Sequence, residues 1–486
     1  MFVVYQILEK LLIIYFIGYL LSDIGLYLYS FIVFRLRLNK ADDVEEVDFT
    51  GHSVSIIVPA YNEEVSVAYC TEMLLGLDYP DFELIIVNDG SSDNTIKALQ
   101  ASFELNEIEI STARDLQTAK IKRIYQSEKK PLIVIDKENG GKADSLNAGI
   151  NAARGRYICT IDADSLLDEQ ALKTVIRPFV HDQDVMVTGG QLAASNGVHL
   201  ENNRVISSQM PKNIWVLWQI IEYIKSFLIA RIGLSKINAL MLMSGAFSVY
   251  QKQDLHAVGG FLSSKNQHPY IEKHLGKGKQ TVCEDMEIVV RLFRYRKDKQ
   301  RKAKTMFLPD AVCWTEVPDK GKNLFRQRAR WHQGLMESLF YHRAMIFEPR
   351  YKTAGLLGLP YYLFFEMLAP VIKLLALLVI VLAAVYNILD VQWVLLLLIS
   401  VILLTAIITT SITAIIEYWS KKRSATSREA LRYKSFVDWL ILIFAGIFGE
   451  FSFSFFKMAA QLKGFYNIIR RKNDWMKFER KGVIKK

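Results

Sequence analysis

Residues 11–34 read LLIIYFIGYLLSDIGLYLYSFIVF, with Asp23 as the single charge. As an α-helix rising about 1.5 Å per residue, this run reaches roughly 36 Å, against a bilayer hydrocarbon core of about 30 Å. A chain with such a segment is expected to be anchored in a membrane. A cleaved leader is a poor match, because no basic stretch precedes the run and no small-x-small step follows it. Residues 359–386, 393–419 and 437–456 are also apolar and of spanning length. The expected organisation is a membrane anchor at 1–36, a globular domain with interfacial helices at 37–345, a helical membrane bundle at 346–465 and a basic tail at 466–486.

The net charge of +10 is not evenly spread. Residues 421–434 hold six basic side chains and one acidic, residues 457–486 hold ten and two, and Arg35, Arg37 and Lys40 follow the first run. Basic residues beside membrane spans mark the cytoplasmic face and meet anionic lipid. The surplus therefore points to membrane lipids as partners and away from nucleic acid. With a cytosolic globular domain, four simple crossings would leave the basic tail outside, against that bias. Either 437–456 is interfacial or re-entrant, or the stretch after Gly355 crosses twice. The four cysteines, Cys70, Cys159, Cys283 and Cys313, show no C-x-x-C spacing. A reduced domain without disulfides or structural zinc is expected.

The globular stretch alternates short apolar strands with helical segments, the pattern of a mostly parallel α/β sheet. In such sheets ligands bind beyond the carboxyl ends of the strands. Polar residues stand at each of those ends: Asn62 and Glu63 after VSIIVPAY, Asp89 after ELIIVN, Lys142 and Asp144 in the GGKADS turn after LIVI, and Asp162 and Asp164 after YICTI. One Asp after a strand is usually a helix cap, but caps explain four successive strand ends poorly. No G-x-G-x-x-G follows the first strand, and Gly140-Gly141-Lys142 lacks the upstream glycine of a P-loop, which disfavours dinucleotide oxidoreductases and P-loop NTPases. Asp162-Ala163-Asp164 can turn two carboxylates to one site, and hard cations such as Mg²⁺ or Mn²⁺ share such ligands with substrate phosphates.

Seven segments in order, VPAYNE, DGSSD, GGKADSLN, DADS, SGAF, TVCEDMEI and QRARW, resemble the family-2 glycosyltransferases, above all the membrane-integrated synthases of the cellulose, hyaluronan and poly-N-acetylglucosamine type. WTEVP at 314–318 and DWMKFERKG near the carboxyl end fit bacterial members. The resemblance implies a GT-A-type, Rossmann-like nucleotide-sugar domain set between an amino-terminal transmembrane helix and a carboxy-terminal bundle. It implies inverting transfer of glucose or N-acetylglucosamine from a UDP-sugar, processively onto an exported glycan or singly onto a lipid-linked acceptor. Mg²⁺ or Mn²⁺ is the implied cofactor. The implied location is the plasma membrane, multi-pass with a cytoplasmic catalytic domain and with export or accessory subunits as partners.

The same resemblance assigns roles. Pro59, Tyr61 and Glu63 shape the nucleotide pocket, with Glu63 near the ribose and Asp89 near the uracil edge. Lys142 and Asp144 close the pocket, Asp162 lies by the donor and Asp164 ligates the metal. Asp285, beside Glu284, is the general base. Gln327, Arg330 and Trp331 sit beside the diphosphate and the acceptor sugar. The chemistry is coherent: inversion needs a base, charge on the leaving diphosphate and an aligned acceptor. His332 and His342 have no ligand spacing. Residues 114–130 read as solvated surface and 276–280 as a flexible loop able to fold over substrate. Residues 215–232 are either a core helix or one lying at the membrane interface.

Overall fold

The computed structural model describes residues 2–39, 47–109, 115–388 and 436–470, with scattered helical positions between 392 and 415. The strands in chain order are β1 (Val54–Ala60), β2 (Phe82–Asp89), β3 (Leu105–Ile108), β4 (Ile121–Ser127), β5 (Leu132–Lys137) and β6 (Tyr157–Ile161), then β7 (Ser165–Leu167), β8 (Val185–Ala194), β9 (Val198–Glu201), β10 (Arg204–Ser208), β11 (Phe247–Gln251) and β12 (Lys304–Thr315). β9 and β10 form a separate hairpin. The other ten make one sheet in the order β3-β4-β5-β2-β1-β6-β11-β8-β12-β7. β1, β2, β5 and β6 are parallel neighbours, and β8 and β12 run the same way. β4, β11 and β7 run against them, so the sheet is mixed.

The central strands are continuous apolar runs because helices cover both of their faces. Val54, Ile56, Ile57, Ile85, Val134 and Ile158 are fully buried. Their carboxyl ends open on one edge. There the 61–66 and 88–95 loops are laced together: Asn62 N–H donates to Ser91 Oγ (2.9 Å), Ser92 N–H to Asn62 Oδ1 (2.8 Å) and Glu63 N–H to Thr95 Oγ1 (2.8 Å). Gly141 enters the helix Lys142–Ala152 at φ 89°, a conformation that glycine adopts without a Cβ clash.

Residues 214–236 form one helical rod, with a π-helical middle at Tyr223–Ile229. Most of its side chains are buried. It is flanked by apolar helices. A Cβ at Gly233 would come within 2.7 Å of Leu26, and the Trp215 and Phe456 rings meet at a 49° tilt with centroids 4.8 Å apart. The helix Tyr5–Arg37 is long and apolar enough to cross a membrane. Two further helix pairs pass the same test only if each is one broken span. Ala354–Met367 with Ala369–Val385 bends by 43°, and Phe436–Gly449 with Phe451–Ile469 by 50°. The apolar run 393–419 (apart from isolated helical positions) and the tail beyond 470 lie outside the described residues.

Candidate active site

Asp89, at the end of β2, is built into the floor of the strand-end cleft. Its Oδ1 lies 2.6 Å from Lys137 Nζ and accepts Gly140 N–H (2.9 Å), and its Oδ2 accepts Gly141 N–H (2.8 Å). Lys137 reaches Asp144 Oδ1 at 2.7 Å as well. Asp144 is fully buried and accepts the N–H of Ala119 on both oxygens at 3.1 Å. Its helix start turns Asp144 beneath the Gly-Gly loop, where the buried Lys137 meets it. The stretch expected to be surface sends Leu116 and Ala119 into the interior.

Lys142 opens the next helix and bridges two elements. Its Nζ lies 2.6 Å from Asp162 Oδ1, just past β6, and 3.1 Å from Glu284 Oε1, at the start of the helix Glu284–Asp298. Burial opposes its charge, but Asp162, Glu284 and Asp285 together outweigh that and push its pKa up. Asp285 is partly exposed. Its Oδ2 accepts Gly245 N–H at 2.9 Å, and a Cβ at Gly245 would sit 3.0 Å from Lys142 Nζ and 3.1 Å from Asp285 Oδ2. Glycine in the Ser244-Gly245-Ala246 turn is therefore what lets backbone, ammonium and carboxylate converge. Desolvation first and the neighbouring Glu284 second raise the Asp285 carboxyl above the ordinary range, with Lys142 opposing.

The loop before this pair is tied down. Thr281 Oγ1 and Val282 N–H both donate to Glu337 Oε2, and Tyr341 O–H donates to Gln280 O (2.8 Å). Both partners come from the helix Gly321–Tyr341, which also carries Gln327, Arg330 and Trp331. Arg330 Nη1 donates to Val282 O (3.2 Å), and Gln327 Oε1 accepts from Arg328 Nη1 (2.6 Å). Arg328 lies over the Trp331 ring, Cζ 4.1 Å from the centroid, and Phe227 flanks the indole at 5.8 Å. Arg328 is held by Glu222 Oε2, whose other oxygen is 3.3 Å from Lys457 Nζ. Lys457, counted in sequence as part of a basic flank, thus pairs with Glu222.

Pro59, Tyr61 and Glu63 lie partly exposed at the mouth of β1, with Glu63 Oε2 accepting from Ser66 Oγ (2.8 Å). Asp162 is partly exposed and Asp164 is buried, one residue apart at the end of β6. Among the described residues no group of three His, Cys, Asp or Glu side chains gathers to hold a metal. The donor set fits a hard cation that takes one or two carboxylates and finds its remaining ligands on phosphate and water. His332 and His342 are buried, and His342 Nε2 pairs with Glu287 Oε1 at 3.0 Å. The four cysteines are free thiols. Lys137, Glu222, Arg231 and Arg328 had not been singled out. For Lys137, Glu222 and Arg231 the available signal was a charge inside or directly after an apolar run, which demands a partner.

The model for glycosyl transferase family 2 matches residues 55–237, and that for glycosyl transferase family group 2 matches residues 157–409. The chain is similar to the poly-beta-1,6-N-acetyl-D-glucosamine synthase of Staphylococcus aureus (strain COL), 27% identical over 317 residues, or 65% of this chain and 62% of that relative. The match thus takes in less than two thirds of that relative's length. The synthase of the same name from Staphylococcus epidermidis is 27% identical over 344 residues, 71% of this chain and 68% of the relative. Among solved structures, the mannosyltransferase PcManGT from Pyrobaculum calidifontis, in complex with GDP-Man and Mn²⁺, is 16% identical, covers 95% of this chain and 100% of its own, and has a TM-score of 0.49.

Proposed function

From the premise that this chain belongs to glycosyl transferase family group 2, and is a glycosyltransferase, we propose that it moves N-acetylglucosamine from UDP-N-acetylglucosamine onto a growing β-1,6-linked glycan. The observation that carries this reading is the Lys142 bridge, which draws the end of β6 and the start of the Glu284 helix to one ammonium. In this reading a donor-binding edge and the segment bearing the carboxylate base would share a single charge.

In this reading Asp285 takes the proton of the acceptor hydroxyl. The freed oxygen attacks the anomeric carbon from the face opposite the diphosphate, the carbon–oxygen bond to UDP breaks, and the configuration inverts. Burial and Glu284 set the Asp285 carboxyl closer to neutral pH, where it is a stronger base than an ordinary carboxylate. Pro59, Tyr61 and Glu63 would line the nucleotide side, with Asp89 holding the Gly140-Gly141 amides behind it. Arg330 and Lys142 would meet charge on the departing diphosphate. A divalent ion held by Asp164 and Asp162 would supply Lewis-acid stabilisation there.

Processive elongation is part of the proposal. The helix bearing Trp331 is packed on the helix Phe436–Ile469, where a Cβ at Gly464 would come within 2.7 Å of Ala329 O. An acceptor platform seated directly on an apolar helix suits a product that leaves through the membrane. Multi-pass insertion, with the globular domain on the cytoplasmic side, belongs to the same reading.

The test is turnover by the purified full chain with UDP-N-acetylglucosamine, UDP-glucose and UDP-glucuronate, reading UDP release and product length. UDP release and polymer from the first donor, lost on chelation and in Asp285→Asn, is the expected result. Turnover of UDP-glucose alone would reject the sugar assignment. A singly glycosylated lipid at saturating donor would replace elongation with single addition.

A further inference from the structure

Buried arginines in this fold come with carboxylates. Arg291 lies 2.8 Å from Glu287, Arg296 lies 2.6 Å from Asp254, and Arg328 is held by Glu222. Arg231 breaks the pattern. It is 3% exposed, yet among the described residues it has no carboxylate partner, and its Nη1 has no hydrogen-bond partner. Burial pulls its pKa down to about 10, with Tyr362, Asp285 and Tyr223 as its electrostatic neighbours. A dehydrated guanidinium with an unmet donor is costly and calls for an explanation.

Its position supplies one. Arg231 Cζ lies 4.5 Å over the Phe227 ring, Phe227 lies 5.8 Å from Trp331, and Arg328 Cζ lies 4.1 Å over Trp331. The four side chains make a row of cation, ring, ring and cation along the acceptor side of the site. The outer cation at Arg328 is neutralised by Glu222. The one at Arg231 is left with a donor unused and lies within electrostatic reach of Asp285.

We propose that Arg231 is a binding residue for the acceptor glycan, its free Nη1 donating to a hydroxyl or ring oxygen of a sugar next to the one held on Trp331. The proposal rests on the glycosyl-transfer reading and adds to it a residue that reads the chain already made. A sugar brings several oxygens with lone pairs to a guanidinium that meets no carboxylate among the described residues. Binding there completes the hydrogen bonding of a cation whose ring contact already fixes its plane. A polyhydroxylated chain also suits the site better than a second carboxylate, which would add negative charge beside Asp285 and Glu284. Oxygens of the donor diphosphate are the rival source of the missing acceptor, and kinetics separate the two.

The experiment uses the full chain in nanodiscs with UDP-N-acetylglucosamine and a short β-1,6-linked N-acetylglucosamine oligosaccharide as primer. Arg231→Met is expected to raise the primer KM at least tenfold while the donor KM stays within twofold, and Arg231→Lys to recover part of the loss. A raised donor KM with an unchanged primer KM would assign the guanidinium to the diphosphate and overturn the proposal. A folded Arg231→Met with both constants unchanged would overturn it too. Should Arg231→Met not fold, thermal stabilisation by primer is compared between wild type and Arg231→Lys. A smaller shift in the lysine variant supports the proposal, and an equal one rejects it. If the wild-type chain releases no UDP from any UDP-sugar, the transfer reading falls and this one with it. Failure of the primer KM to move in an active enzyme sinks this one alone.

Discussion

Lys137 Nζ lies 2.6 Å from Asp89 Oδ1, and neither side chain is more than 5% exposed. Asp144, fully buried, approaches the same ammonium at 2.7 Å. One cation therefore holds two carboxylates, and through Asp89 it holds the amides of Gly140 and Gly141, immediately before Lys142. The glycine loop is oriented from below by these buried groups.

Removing that cation leaves two dehydrated carboxylates in one cavity. Lys137→Met should cost about 3–5 kcal/mol, the usual range for breaking a buried pair from one side. Adding Asp144→Asn should recover part of that, because only one charge then remains. Urea denaturation of the single and double variants checks this. Equal stability of wild type and Lys137→Met would show that the pair is not what holds the loop.

Asp168 gives a pH-dependent expectation that is independent of catalysis. Burial raises its carboxyl from 3.8 to about 6, against an opposing hydrogen bond from Trp314 Nε1 (2.7 Å). A carboxyl raised in the fold favours its protonated form there. Its charge therefore costs nothing below the unfolded pKa, and the cost grows as pH rises until it is complete above about 6. Two units correspond to about 3 kcal/mol at most. Asp168→Asn keeps an oxygen for Trp314 and removes the charge, so it should raise the melting temperature by a few degrees at pH 8 and by much less near pH 4. Stabilisation that is equal at both values would point to packing instead.

Asp89, Asp162 and Asp164 were legible because each stands at the end of an apolar strand, where a charge cannot be explained by the core. The Glu284–Asp285 pair instead opens a helix and was legible only through its motif. Lys137 escaped notice because LIVIDK looks like a strand fraying into solvent. The pleat sends Asp136 toward Asn88 Nδ2 (2.7 Å) and its neighbour Lys137 the opposite way, under the loop. The burial of Asp144 was not legible, since a helix start does not reveal which way its first turn points. Glu222 and Arg328 are 106 residues apart, and only the tertiary fold pairs them. The rod at 214–236 was ambiguous because an apolar face looks the same whether it meets protein or lipid.

The acid side of the pH–rate profile should respond to Glu284. In the proposed mechanism Asp285 would act as a base only when ionised, and its pKa is raised by desolvation and then by Glu284. Glu284→Gln removes that negative neighbour and frees Lys142, 3.1 Å away, to favour the Asp285 carboxylate. Both changes lower the Asp285 pKa, so the acid limb of kcat/KM should move to lower pH even if the maximal rate falls. A limb that stays in place, or moves upward, would mean that another group governs it.

Arg328 tests whether Trp331 is positioned or merely present. Its guanidinium covers the indole at 4.1 Å while Glu222 fixes its other edge, so the ring is clamped from one side. A cation over an aromatic face contributes about 0.5–2 kcal/mol, more when water is excluded. Arg328→Met keeps much of the bulk over the ring but loses that attraction and the plane it imposes. Glu222 would keep Lys457, 3.3 Å away, as a counter-charge, so the variant should fold. The expected outcome is a primer KM raised about two- to thirtyfold, by the conversion of that range into a ratio, with shorter polymer and unchanged UDP binding. Arg328→Lys should not restore it fully, because an ammonium cannot lie flat on the ring while holding a carboxylate at its edge. Product length by gel, compared with Trp331→Ala, decides the matter. If Arg328→Met elongates as the wild type does while Trp331→Ala fails, the indole acts without its clamp, and the Glu222–Arg328 pair serves only to fasten the helix Gly321–Tyr341 in place.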